Sequence, residues 1–201
     1  MWKDAQRFLL EDKIIGPLIN EFGDCTIAAR DKKYYFLDLV DAIVSQQLSN
    51  RASATIFNRL KSLFPGNELD PELLLKLSES SFRSVGLSRQ KISYIKDLSQ
   101  KVVDNTVKVS ALAEFPDEEI VKQLTLIKGI GRWTAEMFLM FSLARPDIFP
   151  VIDLGIQNAL KKAFPHKKIH NKNIERIGKK WQPFRTVASW YLWRSLDNQN
   201  V

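Results

Sequence analysis

Between Leu124 and Asp153 the chain reads LTLIKGIGRWTAEMFLMFSLARPDIFPVID. Two glycines flank Ile130 there, set between two segments of helix-spaced apolar residues. No other stretch restricts the fold as much. Glycine accepts positive φ and lets another backbone come close, so Gly129-Ile130-Gly131 suits a tight turn between two helices. A helix beginning at Gly131 presents backbone N–H groups without intrahelical partners, a ready site for a phosphate oxygen. Asp153 follows after Phe149-Pro150. An anchor for a polyanion therefore precedes a carboxylate by one helix and a short segment, an order that suggests chemistry on DNA.

The remaining sequence reads as helix after helix. Phe36, Leu39, Val40, Ile43, Val44 and Leu48 keep helical spacing. Ser49 can cap NRASATIFNRLKSLF, stopped by Pro65-Gly66. Asp70-Pro71 is a cap and first-turn proline for PELLLKLS, and Ser88 can cap RQKISYIKDLSQKVVD. Pro116 opens the next helix, and Asp117, Glu118 and Glu119 match the positive end of its dipole. Gly131 opens a helix that Arg145-Pro146 ends. Asp153 precedes LGIQNALKKAF, closed by Pro165. A further helix is expected over Asn173–Trp181, and Pro183 opens the last. Short strands are conceivable near Thr26–Ala29 and Tyr34–Phe36. The expected class is all-α, with roughly ten helices. Two lobes are expected, residues 30–145 in one and 1–29 with 146–201 in the other.

Composition narrows the partners. The net charge of +7 and pI near 9.5 favour a polyanion. With Cys25 as the single cysteine, an internal disulfide, a cysteine-ligated zinc site and an iron–sulfur cluster are all excluded. The start, MWKDAQRFLLEDK, has scattered charges and no apolar run of signal-peptide kind, and no segment reaches membrane-span length. A reducing, intracellular setting is expected.

LIKGIGRWTAEMFLMF…DIFPVID resembles the helix-hairpin-helix motif with Gly/Pro-rich loop and Asp that defines the HhH-GPD superfamily of DNA glycosylases. AIVSQQLSNRASATIFNRL is similar to the segment before that family's DNA-probing loop, and VGLSRQKISYIKDLS to the segment after it. KKWQPFRTVASWYLWR resembles the final helix of the DNA-3-methyladenine glycosylase II branch. The likeness runs from about residue 36 to 195 in four ordered segments. The chain is too short to hold the extra N-terminal β domain of that branch's best-known bacterial member.

The resemblance implies a monofunctional glycosylase that flips an alkylated purine, 3-methyladenine or 7-methylguanine, out of duplex DNA and hydrolyses its N-glycosidic bond. Asp153 would be the catalytic carboxylate, stabilising positive charge on C1′ and orienting water. Its plainer role is to cap the following helix, and the two are compatible. Trp133 stands where bifunctional members carry a Schiff-base lysine. Trp133, Met137, Leu154 and Trp193 would line the base pocket, with Trp193 stacking on a cationic base. Two tyrosines of the best-known relative correspond to Met137 and Leu154. For Trp133 and Trp193 the plainer reading is core.

Lys128, Gly129, Gly131, Arg132 and Thr134 would hold a DNA phosphate. The carbonyls of Thr125, Ile127 and Gly129 could ligate a structural Na⁺ or K⁺; no cofactor is required for the chemistry. Gln47, with Leu48 next, matches the wedge that fills the gap left by the flipped base. The basic run Lys161, Lys162, Lys167 and Lys168 with His166 reads as a solvated face. His166 and His170 share the i, i+4 spacing that can hold a metal. Arg185 is either a structural ion-pair partner or a phosphate contact. The implied partner is double-stranded DNA bearing alkylated bases, met by a monomer without membrane attachment. The implied setting is the bacterial cytoplasm and nucleoid, or a eukaryotic nucleus. The rivals are a bifunctional or mismatch-specific glycosylase/lyase of the same superfamily and a non-catalytic binder of damaged DNA.

Overall fold

The computed structural model describes residues 1–165 and 170–197. Among these are twelve α-helices, three short 3₁₀ segments and no strand. In chain order the helices are α1 (Lys3–Leu9), α2 (Ile15–Phe22), α3 (Tyr35–Ser45), α4 (Asn50–Lys61), α5 (Pro71–Lys76) and α6 (Glu79–Ser84). Then come α7 (Arg89–Val103), α8 (Asp117–Thr125), α9 (Arg132–Phe141), α10 (Leu154–Ala163), α11 (Asn171–Lys179) and α12 (Arg185–Asp197). The chain divides into two compact units, one of Arg30–Phe138 and one of Met1–Ala29 with Leu139–Val201.

The Arg30–Phe138 unit is built on α7, which packs against α3, α5 and α6. Leu39, Val40, Ile43 and Val44 fall on one face of α3 and are buried. Ile92, Ile95 and Leu98 do the same on α7. Each such side chain contributes roughly 1.5–3 kcal/mol of burial free energy. The caps read from the sequence form: Ser49, Asp70 and Ser88 accept the N–H of Ala52, Leu73 and Lys91. They supply acceptors that a helix start otherwise lacks.

The other unit gathers around α12, which packs on α2 and α10. Val187, Ala188, Tyr191 and Leu192 of α12 are buried there with Ile156 and Leu160 of α10. The all-round burial of α12 explains why its sequence shows no clean polar face.

Several expected boundaries shift. The expected strands do not form. Residues 26–29 run without regular structure, and the indole N–H of Trp2 holds them by donating to the Ile27 carbonyl at 2.7 Å. Lys32–Tyr34 is a 3₁₀ turn leading into α3. Leu48 lies past the end of α3, because the chain turns at Gln47. Helix α9 stops at Phe141, before Arg145-Pro146. Ala144 takes a positive φ of 51°, and the Arg145 N–H reaches back to the Leu139 carbonyl at 2.9 Å. Helix α11 covers Asn171–Lys179 and so leaves Trp181 as a buried residue beyond its end. Helix α12 starts two residues after Pro183, at Arg185.

Candidate functional site

Asp153 occupies the N-cap of α10 with extended backbone. Its Oδ1 accepts the Ile156 N–H at 2.9 Å and the indole N–H of Trp193 at 2.8 Å. The carboxylate therefore sits at the positive end of the α10 dipole. Two bonds on one oxygen also fix the rotation of the group. Gly155 makes the arrangement possible. A Cβ there would stand 2.7 Å from Trp193 Cδ1, 2.9 Å from its Nε1 and 3.0 Å from Asp153 Oδ1. The Trp193 ring also lies tilted against Phe141, with centroids 5.7 Å apart. Trp193 is thus neither plain core nor a stacking face alone, since its N–H holds the carboxylate.

The hairpin joins α8 to α9. The Ile130 N–H closes a turn on the Ile127 carbonyl at 3.1 Å. Gly129 has φ 81°, and a Cβ there would fall 2.1 Å from Tyr94 of α7. The fold itself demands this glycine. Gly131 differs: it lacks positive φ, and an added Cβ would meet nothing within 4 Å. The ladder of α9 begins with the Ala135 N–H on the Gly131 carbonyl at 3.0 Å. The N–H groups just before it belong to the set that a helix start leaves without intrahelical acceptors.

Side chains around the hairpin are shared unevenly. Lys128 is exposed, and its N–H donates to Asp97 Oδ2 at 2.8 Å. Burial raises the Asp97 pKa, but bonds from Lys101 and the Lys128 N–H outweigh it and hold the carboxyl below its usual range. Arg132 is committed to acids, Glu118 through both terminal nitrogens and Glu136 through Nε at 3.2 Å. Thr134 is buried.

The family model for HhH-GPD superfamily base excision DNA repair proteins matches residues 40–183. The chain belongs to that superfamily. It is 37% identical over 168 residues to DNA-3-methyladenine glycosylase 1 of Schizosaccharomyces pombe, covering 82% of this chain and 74% of the relative. A Schizosaccharomyces pombe 3-methyladenine DNA glycosylase solved in complex with abasic DNA superposes with a TM-score of 0.86 at 32% identity, covering 97% of each chain. A DNA-3-methyladenine glycosidase from Bacillus halodurans superposes with a TM-score of 0.84, also at 32% identity, covering 98% of this chain and 92% of that one.

Other residues singled out by the superfamily resemblance are distributed as follows. Gln47 is exposed in the left-handed region at φ 58°, and Leu48 beside it is exposed as well. Trp133 and the half-buried Met137 lie on α9 in the Arg30–Phe138 unit. Leu154, 71% exposed, and Trp193 belong to the other unit. Of the carbonyls considered for a cation, two already accept hydrogen bonds: Ile127 from Ile130, and Gly129 from Gln46 Nε2 at 2.8 Å. Each of these oxygens keeps a second lone pair.

Arg185 is a structural partner. It binds Asp147 through Nε at 2.6 Å and a terminal nitrogen at 2.9 Å. His166, Lys167 and Lys168 lie outside the described residues, within which no cluster of three or more metal-ligating side chains occurs.

Sequence reasoning missed the supports beneath these groups. Lys91, Tyr94 and Asp97 recur every third residue on α7, and each touches the loop after α3 or the hairpin. Lys91 Nζ donates to the carbonyls of Val44 at 2.6 Å and Gln46 at 2.7 Å. Desolvation lowers its pKa. Their spacing on α7 carries no signal of its own, because the contacts are made with segments distant in sequence.

Proposed function

We propose that the protein is a monofunctional DNA glycosylase that removes alkylated purines, 3-methyladenine and 7-methylguanine, from duplex DNA. The names of its relatives support the substrate class. The observation that carries the chemistry is Asp153, fixed at the α10 N-terminus by two donors on Oδ1.

An alkylated purine carries positive charge, so it departs as a neutral base. The C1′–N bond breaks with its electron pair going to the ring, and positive charge builds on C1′ and the ring oxygen. An ionised Asp153 stabilises that charge. Water then forms the new C1′–O bond and loses its proton to Asp153 or solvent. The product is an intact strand with an abasic sugar. Trp133 stands where a lyase would need its amine, so no Schiff base forms.

The hairpin N–H groups at the start of α9 hold one phosphate. Gly131 supports this reading, because nothing inside the protein requires a glycine there. The exposed Gln47 and Leu48 fill the gap left by the extruded base. Duplex DNA as substrate puts the protein's work in a nucleoid or a nucleus. Among the described residues, no helix is long and apolar enough to cross a membrane.

Asp153→Asn tests the reading. Asparagine is an equally good cap, so the fold should persist. Single-turnover release of 3-methyladenine from methylated DNA should fall on the order of a hundredfold or more, while binding to an abasic duplex remains. Near-normal release by the folded variant would overturn the assignment.

A further inference from the structure

We infer that Gln46 is a positioning residue for base extrusion, tying the 46–48 loop to the phosphate hairpin so that both engage DNA as one element. This rests on reading Gln47 and Leu48 as the wedge.

The side-chain amide of Gln46 donates to the Gly129 carbonyl at 2.8 Å, bridging 83 positions of sequence. The backbone carbonyl of Gln46 is held as well, accepting from Lys91 Nζ at 2.7 Å. Gln46 is thus fixed at both ends, and the next residue, Gln47, sits at φ 58°. L side chains rarely adopt that conformation, and it persists only where the surroundings over-determine it. Here the surroundings are a lysine from α7 on one side and the hairpin on the other.

Helix α7 completes the frame. Lys91 holds the loop, Tyr94 lies under Gly129, and Asp97 accepts the Lys128 N–H at 2.8 Å. A loop fastened this way cannot settle independently of the hairpin. When the hairpin takes its phosphate, the wedge is set at a fixed place along the duplex. Binding to the backbone then helps offset the unstacking of the base.

Gln46→Leu keeps the side chain's bulk and removes its donor. The measurements are single-turnover excision of 7-methylguanine from a fully paired duplex and from a single-nucleotide bulge, with affinity for undamaged duplex alongside. The bulged base needs little extrusion. The variant should be slowed about tenfold on the paired substrate, yet stay within about twofold on the bulge and in undamaged-duplex affinity. Lys91→Met should show the same pattern. Equal slowing on both substrates would mean a general structural role and would overturn the inference, as would wild-type rates on both. Gln47→Ala and Leu48→Ala test the wedge separately. If they discriminate paired from bulged DNA and Gln46→Leu does not, the wedge stands and the coupling is wrong. If they do not discriminate either, the wedge reading itself fails.

Discussion

The indole N–H of Trp193 donates to Oδ1 of Asp153 at 2.8 Å, across 40 positions of sequence and within one structural unit. The carboxylate that would face C1′ is therefore aimed by an aromatic residue whose ring had suggested stacking. Ring and N–H make separable contributions.

Trp193→Phe separates them. Phenylalanine keeps an aromatic face and loses the donor. A hydrogen bond to a charged group contributes about 1.5–3 kcal/mol, so excision should slow by tenfold or more. If the loss comes from aiming Asp153, it should be proportionally equal for cationic 7-methylguanine and for any neutral base the enzyme accepts. Trp193→Ala should add a further loss on the cationic base, because the electron-rich face is gone too. Unchanged single-turnover rates in Trp193→Phe would show that the N–H does not matter to catalysis.

Gly155→Ala reaches the same contact from the other side. The new methyl would press on Trp193 and on Asp153 Oδ1, all within 3.0 Å. Alanine in a helix is intrinsically favoured over glycine by roughly 0.8–1 kcal/mol. Thermal stability should therefore change little while excision drops. In the double variant with Trp193→Phe the losses should overlap rather than multiply, since both break one hydrogen bond. Multiplicative losses, read from single-turnover rates, would uncouple the two residues.

The parts of the site that were legible in the sequence are those set by local chemistry. Asp153 precedes an apolar periodic run, and so do Ser49, Asp70 and Ser88; all four cap helices because a short polar side chain before a helix can satisfy its free N–H groups. The hairpin was legible because glycines mark turns. The supports were hidden because they are contacts between distant segments. Lys91, Tyr94 and Asp97 look like ordinary polar-face residues of α7 until the loop and the hairpin are laid on them. Gln46 gave no sign of reaching Gly129. Arg132, read from its position as a phosphate ligand, is bound to Glu118 fourteen positions away. Helix ends slipped at Gln47 and Ala144, which take positive φ, since nothing in those residue types announces the turn.

The two hairpin glycines should respond differently to the same change. Gly129→Ala places a methyl into Tyr94 at a positive φ, and should lower the melting temperature by several degrees. Gly131→Ala meets open space and should leave melting nearly unchanged. It should nonetheless weaken binding to damaged and undamaged duplex alike, because a phosphate contact carries no sequence information. Full affinity in Gly131→Ala and the bulkier Gly131→Val would remove the hairpin as an anchor.

Lys128 and Arg132 should separate in a salt titration. Lys128 is exposed, with one carboxylate 3.9 Å from its ammonium, whereas Arg132 is held by two carboxylates. If Lys128 neutralises a phosphate, Lys128→Ala should reduce the slope of log affinity against log salt by about 0.9. Arg132→Ala should change it less, because that charge is already balanced inside the protein. A larger change for Arg132 would mean that it leaves Glu118 and Glu136 on binding DNA.

Asp97 should make the hairpin sensitive to acid. Burial alone would raise its pKa, but Lys101, the Lys128 N–H and the Lys128 ammonium hold it below the ordinary carboxylate value. A carboxyl whose folded pKa is depressed binds protons more readily in the unfolded chain. Its contribution is complete above the unfolded value of about 3.9 and is lost as pH falls through the lower folded value. Above pH 5 hairpin protection should be flat with pH in respect of this group, and it should fall on acidification below about pH 4. Asp97→Asn keeps an acceptor for the Lys128 N–H but cannot ionise. It should lower stability at neutral pH and remove this part of the acid-side fall. Hydrogen exchange at the Lys128 amide, followed across pH in wild type and Asp97→Asn after correction for intrinsic exchange, reads the effect at the bond itself. Parallel pH profiles for the two proteins would show that the ionised form of Asp97 contributes nothing to holding the hairpin.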